Sequence, residues 1–123
     1  TISGVAADIV IGQDSFDLAI DGSASAQRLD GVKGLATVDG ALFVADRGHE
    51  RVLVFDPIPT TSVGDVSTAS RSLGQVNPGV LAGVGPITER SLNIPNAIAI
   101  GDRYLFVAEW SAQRVLRFRL DLP

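Results

Sequence analysis

The chain is predicted to be all-β, built from two copies of one small antiparallel sheet, and three observations carry that prediction. Leu42-Phe43-Val44-Ala45-Asp46 followed by Arg51-Val52-Leu53-Val54-Phe55 returns 63 positions later as Leu105-Phe106-Val107-Ala108-Glu109 and Arg114-Val115-Leu116-Arg117-Phe118, with 8 of 14 aligned positions identical. A tandem repeat of this kind dictates architecture before any other reading. Upstream, Ile11-Gly12-Gln13 answers to Leu73-Gly74-Gln75, so the unit keeps its length to within one residue. The apolar runs are only about five residues long and are punctuated by Gly, Pro and Asp-Gly, which leaves no room for a helical stripe.

Taken in order, residues 8–11 read as a short strand ending at Gly12-Gln13, and residues 24–29 as at most one helical turn in a loop. Residues 34–38 form a strand that reaches Asp39-Gly40, a strong two-residue hairpin signal because both central positions of a type I′ turn need positive φ. The return strand covers residues 41–45. A turn over Asp46, Arg47, Gly48, His49 and Glu50 leads into a third strand, 51–55, which Asp56-Pro57-Ile58-Pro59 ends. Residues 70–73 before Gly74-Gln75 supply a fourth strand. Strands 42–45 and 52–55 are apolar on both faces, so their sheet must be covered on both sides. Four-stranded antiparallel meanders stacked face to face around an axis meet that demand, which is the architecture of a β-propeller. On this reading residues 34–75 are one blade and 97–123 the first three strands of a second. Residues 76–96 connect the two. Residues 1–33 hold the outer strand of a neighbouring blade and its connecting loop.

These pieces resemble NHL repeats, whose units run as a Gly-Val-Ala-Val-Asp-like strand, a Leu-Tyr-Val-Ala-Asp-like strand, a short loop and an Arg-Val-Leu-Val-Phe-like strand. The matching residues here are Gly34-Leu35-Ala36-Thr37-Val38-Asp39, residues 42–46 and residues 51–55; the second copy has Asn96-Ala97-Ile98-Ala99-Ile100, residues 105–109 and residues 114–118. Ala7-Asp8-Ile9-Val10-Ile11-Gly12-Gln13 is similar to the segment linking units in a bacterial long-repeat subset of that family. The pattern departs at Glu109-Trp110-Ser111, where the usual Asp-x-Gly-Asn turn is missing. The resemblance implies six-bladed rings that mostly act as noncatalytic binding or scaffold modules.

Two blades cannot close a ring, since each exposes a flat apolar face that needs a neighbour. The C-terminus of one copy runs in phase into the N-terminus of the next, so a homotrimer closed by strand exchange is one expectation. Further repeats of a longer polypeptide are the rival.

Composition narrows the function classes. The chain has 123 residues, 46% hydrophobic, with 10 Lys plus Arg against 14 Asp plus Glu, a net charge of −4 and a pI near 4.7. Scattered basic residues argue against nucleic acid and anionic membrane surfaces, and no apolar run is long enough to span a bilayer. The absence of Cys and of a visible leader leaves the compartment open, secreted or periplasmic being the leaning.

In a meander the second-to-third turn and the interblade connections share one sheet edge, and loops on a rigid scaffold tend to carry function. Candidate partner-binding residues on that edge are Lys33, Arg47, His49, Glu50, Asn96, Glu109, Trp110 and Gln113. His49, the sole histidine, reads as an exposed turn residue or a ligand contact; no local sequence fixes a partner beside it for base catalysis. Trp110 stands where the first unit has Arg47, either packing between blades or offering an aromatic platform for a peptide or sugar. Asp46, Arg51 and Arg114, with Glu109, read as structural pairs in which the carboxylate caps turn amides and meets the arginine; Gly12, Gln13, Gly74 and Gln75 read as structural linkers. No catalytic, metal or cofactor residue is assigned. Asp14, Asp17 and Asp21 lack EF-hand spacing, one His without Cys cannot build an ordinary zinc site, and Gly79, Gly83 and Gly85 lack a phosphate-loop ending. The function expected is a noncatalytic protein- or peptide-binding scaffold. The alternatives are a multivalent lectin-like binder and a calcium-dependent lactonase-like enzyme on a related scaffold, for which only Asn96 is placed.

Overall fold

A computed structural model describes residues 4–17, 19, 24–60, 68–74 and 87–120. Gln75, Asp21 and residues 76–86, with Gly79, Gly83 and Gly85 among them, lie outside the described residues. The described chain is all-β, in two antiparallel sheets, with one 3-10 turn over Arg47–His49. The first sheet has four strands in the order β1 (Val32–Val38), β2 (Ala41–Asp46), β3 (Arg51–Phe55), β4 (Arg71–Leu73); the second has three, β5 (Pro95–Gly101), β6 (Tyr104–Glu109), β7 (Arg114–Arg119). No helix among the described residues is long and apolar enough to cross a membrane.

The hairpin turns follow from local chemistry. Asp39 and Gly40 take φ 49° and 76°, and their counterparts Asp102 and Arg103 take 54° and 64°. Both central positions of each turn are left-handed, as a two-residue turn matched to strand twist requires. Each first strand starts two residues earlier than the sequence suggested, because a bulge carries pairing on to Val32↔Asp46 and Pro95↔Glu109.

Strand alternation sorts each sheet into two faces. In the first sheet, Phe43, Val52 and Val54 share one face, while Val44, Leu53 and Phe55 share the other. The first of these faces packs on the second sheet, where Leu105 and Val107 are buried with Ile98, Ile100, Leu116 and Phe118 around them. This shared core joins the two units. β1 lies against β5 closely enough that a Cβ on Gly34 would sit 3.4 Å from the Ile98 nitrogen. On the opposite face, Val44, Leu53, Phe55 and Ala69 form a second core, covered by Ile11, Ala26 and Leu29. The first sheet is therefore buried on both sides. The second is not: β7 alternates between partly buried and exposed residues, and Val115 and Phe106 are open to solvent.

Residues 8–11, expected as the outer strand of a neighbouring blade, take no strand conformation within this chain. Beside β3 the fourth place is taken by β4, Ile11 is packed on the first sheet, and no described strand pairs the outer edge of β7. One expectation is corrected. Residues 24–29 form turns rather than a helical turn, because their carbonyls are used by a distant side chain, described below.

Candidate functional site

At the edge where β2 turns into β3, a carboxylate and an arginine lock the preceding loop. Asp46 ends β2 and Arg51 begins β3, directly opposite in the ladder. Arg51 Nε donates to Asp46 Oδ2 at 2.7 Å, and Arg51 Nη2 donates to the carbonyls of Ser25 at 2.7 Å and Arg28 at 2.8 Å. Asp46 Oδ1 accepts the amide of Asp30 at 2.7 Å. Both charged side chains are fully buried, and a buried pair holds only when its remaining donors and lone pairs are met. These bonds engage Nε and Nη2 of Arg51 and both carboxylate oxygens of Asp46, and the loop is thereby fixed to the sheet.

The second unit repeats the device. Arg114 Nε donates to Glu109 Oε1 at 2.6 Å, Arg114 Nη2 donates to the carbonyls of Thr88 at 2.7 Å and Ser91 at 3.1 Å, and Glu109 Oε2 accepts the amide of Asn93 at 2.6 Å. Every partner is 63 positions from its equivalent: Ser25 and Thr88, Arg28 and Ser91, Asp30 and Asn93. The carboxylates cap amides of the upstream loop rather than of their own turn. Sequence comparison missed these partners because they contribute backbone groups, which leaves their side chains free to differ. The 63-residue offset was the available signal.

His49 is not the exposed turn residue the sequence suggested: it is buried, with Nδ1 2.9 Å from Asp46 Oδ2. The 3-10 turn brings positions i and i+3 onto one side, so Asp46 holds His49 and Arg51 together. An Asp–His contact is a familiar part of base catalysis, but a catalytic imidazole must reach substrate, and this one is covered. Glu50 is also buried; it closes the turn with φ 54°, and burial raises its carboxyl above the usual range.

The other edge residues divide by exposure. Lys33, Asn96 and Gln113 are exposed, Arg47 is half-buried, and Glu109 is buried in its ion pair. Trp110 is 67% exposed, and its amide donates to the Ile94 carbonyl at 3.1 Å, so a fixed backbone presents a free indole. No family model, curated protein or solved structure matches the chain. Among the described residues, no three His, Asp or Glu side chains gather as metal ligands would. Asp14 instead pairs with Arg28 at 2.7 Å. A small concavity lies between Val38, Phe43, Arg71 and Leu120 at the opposite edge.

The two glycine linkers have equivalent surroundings as well. Gly12 and Gly74 take φ 99° and 94°, and a Cβ on either would come within 2.9 Å of Leu29 or 2.7 Å of Leu92. Leu29 and Leu92 are themselves one repeat apart. The N-terminal segment therefore sits on the first sheet as the end of β4 sits on the second unit.

Proposed function

We propose that the chain is a noncatalytic binding module of NHL-like β-propeller type, whose two sheets are blades and whose loop edge meets a protein or peptide partner. The exposed indole of Trp110 carries this reading. The charged groups of the same edge that could do chemistry are engaged in holding loops: Asp46, His49 and Arg51 are buried together, and Glu109 is consumed by Arg114. What the edge offers a partner is a large amphipathic ring on a rigid backbone, flanked by the exposed Gln113, with Asn96 and Lys33 also exposed among the loop-edge candidates. Such rings anchor peptides at low entropy cost.

The test is selection from a displayed random-peptide library, with a glycan array run beside it. Peptides captured by the parent chain and released by Trp110→Ala support the reading. Capture that survives the substitution moves the site away from Trp110. Sugars bound through Trp110, with no peptides, replace it with the lectin-like reading.

A further inference from the structure

The exposed face of the second blade has a repeat-equivalent that is fully covered inside the chain. In the first blade, Phe43, Val52 and Val54 are buried against the second blade. One repeat later the same places hold Phe106, Val115 and Arg117, where Phe106 and Val115 are exposed. The strand at the outer edge differs too. β3 is paired by β4, with Val52↔Leu73, Leu53↔Ser72 and Val54↔Arg71, whereas among the described residues no strand lies beside the outer edge of β7.

The missing strand and the missing cover are both present elsewhere in the chain. Ile11 lies in the core of Val44, Leu53 and Phe55 as Leu73 lies in that of Leu105 and Val107. Gly12 meets Leu29 as Gly74 meets Leu92. Residues 9–12 are therefore seated on the first blade where the outer strand of a preceding blade belongs.

We propose that β7 and the exposed face of the second blade dock on the N-terminal segment and first blade of a second copy of this chain, head to tail, repeating the interface the chain already makes within itself. Transferring the β3–β4 register by one repeat pairs Val115 with Ile11, Leu116 with Val10 and Arg117 with Ile9. The side chains suit that pairing. Val115 and Ile11 are both aliphatic, like Val52 and Leu73. At the next same-face position the first blade pairs Val54 with Arg71, and the exchanged blade pairs Ile9 with Arg117, an aliphatic and an arginine again with the strands reversed. Arg117 already lies over Tyr104, with Cζ 4.1 Å from the ring centroid, while the apolar side chains of Val115 and Phe106 stay exposed. A head-to-tail interface of one kind closes as a ring when its rotation allows. Propellers of about 4–8 blades correspond to two to four copies of a two-blade chain.

The chain contains no cysteine, so two single variants, Ile11→Cys and Val115→Cys, give an unambiguous test. Mixed and air-oxidised, they should form a disulfide-linked pair of chains joining one variant to the other, since directly opposed strand residues are within bridging distance. Native mass spectrometry of the parent chain should give two to four times 12.8 kDa, and Val115→Asp, at a site 66% exposed in the single chain, should give a folded 12.8 kDa species. A folded monomeric parent chain, or absence of the mixed disulfide, overturns the proposal. The inference rests on the blade reading but fails separately from the binding reading. An unassembled chain that still captures peptide through Trp110 removes this proposal alone, and an assembled chain that captures nothing removes the other.

Discussion

Arg51 reaches Asp46 across the end of the β2–β3 ladder at 2.7 Å, and that contact is the centre of a knot that ties the two strands to a loop more than twenty residues upstream. Arg51→Ala would leave the Asp46 carboxylate buried without its guanidinium and the Ser25 and Arg28 carbonyls without their donor. Removing one member of a buried pair costs about 3–5 kcal/mol. Arg114→Ala should cost less, about 1–3 kcal/mol, because the Arg114 side chain is 24% exposed and water can take over its contacts. Urea unfolding at neutral pH measures both. Equal losses would show that burial does not set the strength of the two knots.

Gly12→Ala and Gly74→Ala should each destabilise the chain by about 1–3 kcal/mol, from a positive φ and from a Cβ driven into leucine. The contact at Gly74 is the closer, and it involves Leu92 Cβ as well as the side-chain end. At Gly12 the nearest atom is the terminal Cδ1 of Leu29, which can rotate away. Gly74→Ala should therefore unfold at lower urea than Gly12→Ala. The reverse order would argue that the Leu92 loop yields more readily than a Leu29 rotamer.

The parts of this structure that were legible in the sequence are those fixed by local chemistry or by repetition. Asp39-Gly40 announced its hairpin because both positions need positive φ, and residues 42–46 and 105–109 announced paired strands because they are nearly the same. The burial of His49 was not legible. It lies in a short turn with no periodicity, and what buries it is Asp46 and Arg51 closing on loop residues far away in sequence. The strand expected at residues 8–11 is likewise not formed within the single chain. Pattern identifies a strand by its own residues, but a strand exists only beside a partner, and the segment is held against the first sheet while the open edge belongs to β7. At the candidate site, exposure of Trp110 was one of two readings the sequence left open, and the backbone acceptors of Arg51 and Arg114 left no mark on side-chain identity.

Glu50 gives a pH-dependent prediction. Burial raises its folded-state pKa above the usual 4.5, so the folded chain holds this proton more tightly than the unfolded chain does. The associated stabilisation is complete below pH 4.5, the unfolded value, and is lost as pH rises through the raised folded value. Glu50→Gln keeps the amphipathic shape without the titration. Relative to the parent, the variant should gain stability as pH increases from 4.5 towards neutrality, with no added gain below that range. Urea midpoints measured across this interval check it, and a pH-independent difference would assign the effect to hydrogen bonding instead.

Phe43 and Phe106 hold the same place in the two units, yet Phe43 is 2% exposed and Phe106 38%. Phe43→Ala empties part of the core between the sheets and should cost about 3–5 kcal/mol at any protein concentration. Phe106→Ala removes a ring that the single chain only half covers, so in dilute solution its effect should stay near or below about 1 kcal/mol. If a second copy covers that face, assembly stabilises the folded state by mass action, and the loss of Phe106 weakens that term as well. The melting-temperature gap between parent and Phe106→Ala should then widen as concentration increases, while the additional loss in Phe43→Ala is set by a core present in every copy. Thermal melts over a hundredfold dilution series distinguish the two. A Phe106→Ala gap that does not change with concentration would mean that the face stays uncovered in solution, whatever the repeat suggests.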